Sequence, residues 1–237
     1  MIDLNNLEDP RSPKKLIGTV YGGAGVGKSY LASNSEKPVL LRIEDGSASL
    51  QGKDIKMLPC IIEPLDIFMQ IKALIDQEHD FKTLIVDSVS KFDEMVIAEY
   101  LSKSKGLKLT DDNYAGYEYV YSRHRSLSNA CNKLSSLKNM NIIFISHEKS
   151  TNVGRDGKEQ IMTLKMSPKS ARYYIDDVDF VGYLQPADII VNGVRSRAIK
   201  MDVDSNLNNQ AKNRFELTEK EIITKTTSLE SIFLNNK

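Results

Sequence analysis

Residues 22–29 read Gly22-Gly23-Ala24-Gly25-Val26-Gly27-Lys28-Ser29 and match the pattern G-x-x-x-x-G-K-[ST]. Glycines adopt backbone conformations that other residues avoid, and they leave no side chain between the backbone amides and a bound phosphate. The apolar strand Leu16 to Tyr21 precedes the motif, and Ser29 to Ser33 begins a helix. Because a strand, a glycine-rich turn and a helix follow in this order, the segment predicts a phosphate-binding loop.

The loop predicts a site for ATP and Mg²⁺. In this motif Lys28 would reach the β- and γ-phosphates, and the Ser29 hydroxyl would bind the metal ion. Asp87 ends the apolar strand Thr83 to Asp87, where a carboxylate can hold the Mg²⁺ hydration shell; alternatively, it caps the next helix. The predicted nucleotide contacts are Gly22, Gly23, Ala24, Gly25, Val26, Gly27, Lys28, Ser29 and Tyr30, and the predicted metal ligands are Ser29 and Asp87.

Polar side chains also follow two other apolar strands. Glu44 comes directly after Val39 to Ile43, where a carboxylate can orient or deprotonate the water that attacks the γ-phosphate. Asp45 is the alternative for this role, and a solvated loop acid is the plain interpretation of either residue. His147 follows the strand Asn141 to Ser146 and could touch the γ-phosphate, although a histidine satisfied at a strand end would look the same.

Apolar strands alternate with helical patterns along most of the chain. Fully apolar strands separated by helices indicate a parallel sheet that is covered on both faces. Near the C-terminus the pattern changes to short strands, at Val178 to Leu184, Asp188 to Val191 and Val194 to Met201, the last two joined by Asn192-Gly193. We therefore predict an α/β fold, with a mostly parallel central sheet flanked by helices and an antiparallel C-terminal extension. We expect one core at residues 16–218, an N-terminal segment at 1–15 and a C-terminal tail at 219–237.

Composition limits the class of protein. The 237 residues have a net charge of zero, which gives no support to a surface coated in positive charge for nucleic acid. Cys60 and Cys131 are too few and too isolated for a disulfide framework or a zinc site. No apolar run is long enough to cross a bilayer, and the first residues lack a signal-peptide core. These features predict a cytoplasmic protein that does not enter a membrane.

The order of these motifs resembles the RecA-like ATPase core. Thr83 to Val89 looks like the RecA-type Walker B strand, in which serine follows the aspartate. Val39 to Gly46 looks like the strand that bears the catalytic glutamate, and Ile142 to Glu148 looks like the sensor strand. At the sensor position, where RecA proteins commonly have glutamine, this chain has His147. The resemblance implies a P-loop ATPase in which Lys28, Glu44 and His147 have catalytic roles.

A second likeness concerns Gln210-Ala211-Lys212-Asn213-Arg214, which is similar to the Lys-x-Arg finger of replicative helicases and circadian-clock ATPases. The likeness implies that Lys212 and Arg214 are catalytic residues that reach the nucleotide of a neighbouring subunit. It further implies a homo-oligomer with nucleotide at the subunit interfaces, whether ring or filament. The alternative is a pair of solvated charges near a strand.

The chain's small size, and the run from Ser146-His147 through Ser167-Pro168-Lys169 to Arg214, most resemble phage nucleotide-binding proteins used in single-strand annealing and recombination. This resemblance implies an ATPase stimulated by single-stranded DNA, with a single-strand-binding protein as a further partner. A helicase-like or packaging translocase is one alternative. A nucleotide-switched regulator that ignores DNA is another.

Two basic loops are candidates for DNA contact, because a single-strand groove needs positive charge along its length. RecA-like proteins have their DNA loops at the same two places in chain order. The candidate residues are Lys103, Lys105 and Lys108 in the first loop, and Lys149, Arg155 and Lys158 in the second. Each loop could equally be an ordinary solvated surface.

Overall fold

The computed structural model describes residues 15–104, 106–153, 159–191, 194–206, 208–215 and 221–234. The strands are β1 (Ile17–Gly22), β2 (Pro38–Arg42), β3 (Lys56–Met57), β4 (Thr83–Asp87), β5 (Asn141–Val153), β6 (Glu159–Leu164), β7 (Phe180–Val191), β8 (Val194–Asp202), β9 (Lys212–Asn213) and β10 (Glu221–Ile223). The helices are α1 (Lys28–Ala32), α2 (Pro64–Asp76), α3 (Val89–Lys103), α4 (Asp111–Lys138), α5 (Pro168–Ala171) and α6 (Leu229–Phe233), with 3-10 turns at Ser47–Leu50 and Arg172–Tyr174. Within α4 the backbone departs from helical angles at residues 112–114.

The strands form one twisted sheet in the order β10-β8-β7-β1-β5-β4-β2-β3. From β7 to β3 neighbouring strands are parallel, whereas β8, β9 and β10 are antiparallel to their partners. This topology confirms the predicted α/β class with its antiparallel C-terminal extension. Because β1, β2, β4 and β5 are parallel, the residues that follow them meet at one edge of the sheet.

The central strands are buried on both faces. In β4, Leu84 and Val86 pack into the core beneath α2, α3 and α4, while Ile85 between them packs into the core on the opposite face. All three side chains are fully buried. A strand that is covered on both faces cannot alternate apolar with polar residues, which explains the continuous apolar run in the sequence.

The strand after α4 is longer than predicted. β5 does not end at Ser146 but continues to Val153, and beyond His147 it leaves the parallel sheet and pairs with β6. This extension is partly exposed, so it tolerates the polar residues Glu148 and Lys149, which hide a strand in the sequence.

The predicted pair of strands Val178 to Leu184 and Asp188 to Val191 is wrong, because β7 is one continuous strand. Pro186 suggests a break, but it lies beyond Leu184, the last residue of β7 that pairs with β1. There β8 is the one neighbour of β7 in the described part of the chain, and proline is tolerated where a strand has an open edge. The predicted turn Asn192-Gly193 lies outside the described residues.

The segment beyond residue 220, expected as a tail, packs against the sheet. β10 pairs with β8, and α6 buries Leu229, Ile232 and Phe233. The Phe233 ring stacks on Phe180 of β7, with centroids 4.0 Å apart. Burying such a side chain stabilises a fold by roughly 1.5–3 kcal/mol, so this segment adds to the stability of the core.

Candidate functional site

The glycine-rich loop leaves β1 beside β7. A Cβ atom at Gly22 would lie 2.3 Å from the backbone oxygen of Leu184, so only glycine fits there. Gly25 and Gly27 have φ angles of +73° and +98°, a region that side chains disfavour. Glycine is therefore required at Gly22 by the lack of space and favoured at Gly25 and Gly27 by the backbone angles. α1 begins directly after Gly27, at Lys28.

Lys28 is folded back onto its own loop. Its Nζ atom donates hydrogen bonds to the backbone oxygens of Gly22, at 3.0 Å, and Gly23, at 2.8 Å. The side chain is buried, and this burial lowers the pKa of Lys28, while the negative charges of Asp87, Glu44 and Glu148 oppose the shift. The ammonium group therefore lies among carboxylates, at the place where the motif predicts phosphate oxygens.

Ser29 and Asp87, the two predicted metal ligands, contact each other. Ser29 Oγ donates a hydrogen bond to Asp87 Oδ2 at 2.5 Å. Asp87 is 6% exposed, and burial raises its pKa to about 6; the charge of Glu44 adds to the rise, whereas Ser29 and Lys28 oppose it. The pair joins α1 to the end of β4.

This donor set fits a nucleotide-bound Mg²⁺. Within the described ranges there is no group of three or more His, Cys, Asp or Glu that could hold a metal by itself. Magnesium bound with a nucleotide needs few protein ligands, because phosphates and water fill its other positions. Ser29 and Asp87 would hold the ion, and a divalent charge would favour the ionised form of Asp87.

Glu44 and His147 form a second polar pair at the same edge of the sheet. His147 Nε2 donates to the Glu44 carboxylate, at 3.2 Å from Oε1 and 3.4 Å from Oε2. This hydrogen bond lowers the pKa of Glu44, against the opposing effect of burial. The His147 amide donates to Ser90 Oγ at 3.0 Å, which fixes β5 against α3. Both side chains remain about 30% exposed, so water can reach them.

An open cavity of about 390 Å³ brings these residues together. Its volume is within the usual range for small-molecule sites. The lining residues are Ala24, Gly25, Gly27, Lys28, Ser29, Tyr30, Glu44, Gly46, Ser49, Asp87 and His147. Of the other predicted nucleotide contacts, Val26 is buried in the core. The backbone oxygens of Gly22 and Gly23 accept hydrogen bonds from Lys28, and these two glycines do not line the cavity. Gly46 and Ser49 were not predicted, and no sequence motif marks them.

The chain matches the family described as AAA domain over residues 14–215. The chain belongs to this AAA-domain family. The crystal structure of the RadB recombinase is similar to it in fold, with a TM-score of 0.50 over 90% of this chain and 89% of that chain. The two sequences are 14% identical, so the likeness concerns the fold, and it supports the predicted RecA-like P-loop architecture. No match is found among curated proteins.

The predicted finger residues of the AAA domain lie away from its own cavity. β9 pairs with β7 at Phe180 and Val181, beside the start of β1, whereas the glycine-rich loop follows the end of β1. Lys212 Nζ donates to the backbone oxygens of Ile175 and Asp176, and Arg214 pairs with Asp179 at 3.3 Å. Within one chain, therefore, Lys212 and Arg214 are at the opposite end of the sheet from Lys28.

The residues predicted to contact DNA are only partly described. Lys103 is exposed at the end of α3 and pairs with Glu99, and Lys108 is exposed in the loop that follows. Lys149 is half-buried in β5 and donates to the backbone oxygen of Met166. The other three predicted residues, Lys105, Arg155 and Lys158, lie outside the described residues. No membrane-spanning helix is present in the described part of the AAA domain.

Glu148 is a residue of the site that the sequence analysis missed. Its Oε1 atom lies 3.3 Å from the position that a Cβ atom would take at Gly23, directly beneath the loop. Its Oε2 atom is buried and has no hydrogen-bond partner among the described residues. The carboxylate also acts on Tyr183, whose pKa is raised by burial and further by the negative charge of Glu148. The only sequence signal for Glu148 is its place immediately after His147.

Proposed function

We propose that this chain binds ATP with Mg²⁺ and hydrolyses it, acting on single-stranded DNA in recombination or strand annealing. The observation that supports the nucleotide chemistry is the 2.5 Å hydrogen bond from Ser29 to Asp87 at the wall of a cavity that Lys28 also lines. A hydroxyl, a carboxylate and a lysine in this arrangement match the needs of a magnesium triphosphate. The AAA-domain family assignment supports the same chemistry.

Glu44 is suited to activate water. Its pKa is lowered by His147, so at neutral pH it is a carboxylate that accepts protons. In hydrolysis, the oxygen of water would bond to the γ-phosphorus while the bond from phosphorus to the ADP oxygen breaks. Glu44 would orient the water and accept its proton, and Lys28 would stabilise charge on the phosphate oxygens. Bound Mg²⁺ would supply the remaining positive charge.

The action on DNA is the wider part of the proposal. It is supported by the fold likeness to the RadB recombinase, and by the exposed Lys103 at the end of α3 and Lys108 in the loop that follows. We also propose a homo-oligomer in which Lys212 and Arg214 neutralise charge at a neighbour's nucleotide. Their place at the far end of the sheet supports action in trans, because they cannot serve the cavity of their own chain without rearrangement.

A lysine exchange tests the nucleotide proposal. Lys28→Ala should lose binding of a fluorescent ATP analogue in the presence of Mg²⁺. The matched control is Lys37→Ala, which removes an exposed lysine paired with Asp80 on the surface. Wild-type protein that is folded but takes up no nucleotide would contradict the proposal, and so would equal binding by Lys28→Ala and wild type.

The DNA proposal needs its own measurement. We expect ATP turnover to rise with single-stranded oligonucleotide, and we expect the binding to weaken steeply with salt, because phosphate contacts release counterions. An ATPase rate that ignores the oligonucleotide, together with unchanged mobility at low salt, would refute the DNA part alone.

One observation favours a second candidate, a nucleotide-switched regulator that does not bind DNA. Lys103 and Lys149, two of the predicted DNA contacts, are already engaged by Glu99 and by the Met166 backbone. The chain also has no net positive charge. The mobility experiment separates this candidate from the first, since the regulator would bind ATP normally and leave the oligonucleotide unshifted.

A further inference from the structure

Strands β7 and β8 extend well past the end of β1, the strand that leads into the glycine-rich loop. The last residue of β1, Gly22, is in register with Leu184 of β7, and β7 then continues to Val191. Over this stretch the partner of β7 among the described strands is β8 alone, from Gln185 opposite Lys200 onward. At about 3.3 Å per residue, residues 185–191 reach roughly 20 Å beyond the end of β1. We call residues 185–191 and 194–200 the β7–β8 arm.

One face of the β7–β8 arm is turned towards the loop. The Cδ1 atom of Ile199 lies 3.4 Å from the position that a Cβ atom would take at Gly27. Side chains alternate along a strand, so Arg197 and Arg195 lie on the same face as Ile199, while Lys200 lies on the other. Arg197 is two residues, or about 7 Å, further along the arm than Ile199.

The two arginines differ in their surroundings. Arg195 forms an ion pair with Asp188 at 2.5 Å. Arg197 lies directly opposite Asp188 in the strand register, yet its side chain has no ion pair or hydrogen bond among the described residues. Both are exposed, and both line an open cleft of about 700 Å³ along the arm. Arg197 is thus an available cation on the loop-facing side.

The position of the β7–β8 arm complements that of the carboxylates. Glu44 follows β2, Asp87 ends β4 and His147 lies on β5, all to one side of β1, whereas the arm lies on the other side. Lys28 is the only cationic lysine or arginine among the residues that line the loop cavity in the described structure. A triphosphate carries more negative charge than one lysine offsets, and a guanidinium group matches phosphate oxygens in geometry as well as charge.

We propose that the β7–β8 arm is part of the nucleotide site and that Arg197 binds the phosphate chain of the nucleotide held by the same chain. This inference rests on the proposed ATP binding and adds a second phosphate-binding side chain, contributed from outside the glycine-rich motif. Ile199 fixes the inner end of the arm against Gly27, and Arg197 approaches the phosphates from the side opposite Glu44.

The test compares Arg197→Ala, Arg197→Lys and Lys200→Ala with wild type. Lys200→Ala removes one positive charge from the other face of the same strand, where Lys200 Nζ lies 3.6 Å from Asp202. A fluorescent ATP analogue with Mg²⁺ reports direct binding, and ATP and inorganic triphosphate are then used as competitors. Arg197→Ala should weaken binding of both competitors by about tenfold or more, as expected for loss of a hydrogen bond to a charged group. Arg197→Lys should recover part of the loss, and Lys200→Ala should match wild type.

Different results would refute the role of Arg197 and the proposed binding of ATP. Equal affinities of wild type and Arg197→Ala would overturn the role of Arg197 while leaving ATP binding intact. If Arg197→Ala bound ATP more weakly but bound inorganic triphosphate as tightly as wild type, the role of Arg197 would also be overturned, because its contact would then be with the base or sugar. Wild-type protein that binds no nucleotide would refute the proposed function, and the inference with it. Melting temperatures are measured in parallel, and if Arg197→Ala unfolds, the comparison of Arg197→Lys with Lys200→Ala decides.

Discussion

Asp87 is held where its charge is disfavoured, so replacing it with asparagine should stabilise the nucleotide-free protein. Burial raises the pKa of Asp87 from 3.8 to about 6. Each pKa unit corresponds to about 1.36 kcal/mol, so ionising this group in the folded state costs about 3 kcal/mol relative to the unfolded chain. Asparagine keeps the shape and can still accept the hydrogen bond from Ser29, but it has no charge.

The sign of the pH dependence follows from proton linkage. Because the folded-state pKa is raised, the folded protein binds the extra proton between pH 3.8 and about 6, and stability falls as pH rises through this window. Above about pH 6 the wild type bears the whole cost, and Asp87→Asn does not. At pH 8 we expect Asp87→Asn to gain about 2–3 kcal/mol, or about 5–10 °C in melting temperature for a chain of this size.

Thermal and urea unfolding at pH 8 and pH 4.5, without nucleotide or Mg²⁺, measure this difference. The gain should shrink markedly at pH 4.5. Asp54→Asn, which removes an exposed acid and changes the net charge equally, should be nearly neutral at both pH values. Addition of Mg²⁺ and ATP should stabilise wild type more than Asp87→Asn. A variant less stable than wild type at pH 8, or a gain that does not change with pH, would refute the reasoning.

Three further changes follow from the site and the core. Glu44→Gln should bind ATP while hydrolysing it at least tenfold more slowly, because the water-orienting carboxylate is lost; single-turnover kinetics measure this. Arg214→Ala should retain ATP binding but depress steady-state turnover, in line with loss of a charge supplied in trans. His124→Ala should destabilise the fold by about 3 kcal/mol in urea titrations, because fully buried His124 bonds Asp93 at 2.9 Å and Tyr174 at 2.8 Å.

For each of these three variants, one result would contradict the prediction. Normal turnover in Glu44→Gln would mean that Asp45 or another residue orients the attacking water. Full turnover in Arg214→Ala would rule out the finger, whereas recovery on mixing Arg214→Ala with Lys28→Ala would support it. For the core, His79→Ala is the control, since half-buried His79 has one hydrogen bond among the described residues, to the Leu74 backbone oxygen. An equal loss of stability in both histidine variants would contradict the prediction that the buried network stabilises the fold.

The sequence predicted best where local chemistry leaves no choice. A Cβ atom has no room at Gly22, and the doubly buried β4 must be apolar throughout, so the loop and the Walker B strand follow from residue type alone. Glu44, Asp87 and His147 could be predicted to meet because parallel strands end at one edge. The catalytic roles assigned to them stay predictions.

Prediction failed where pairing partners set the structure. The extension of β5 and the part of β7 beyond Leu184 have exposed or polar positions, and pairing with β6 and β8 makes a continuous strand stable there. α6 is too short to show a helical period in the sequence. The role of its apolar residues is visible only in the fold, where Phe233 stacks on Phe180. Glu148 could not be found because its contact, Gly23, lies far away in the chain.

The continuity of β5 has a mechanical consequence. From Asn141 to Val153 one unbroken strand is shared between the parallel sheet and its pairing with β6, so no hinge separates the residues facing the cavity from those that lead towards residue 154. A stiff ribbon that is clamped at one end moves its other end by changing its twist rather than by swinging. A small rotation of the strand at His147 would therefore be transmitted along β5 to the residues that pair with β6.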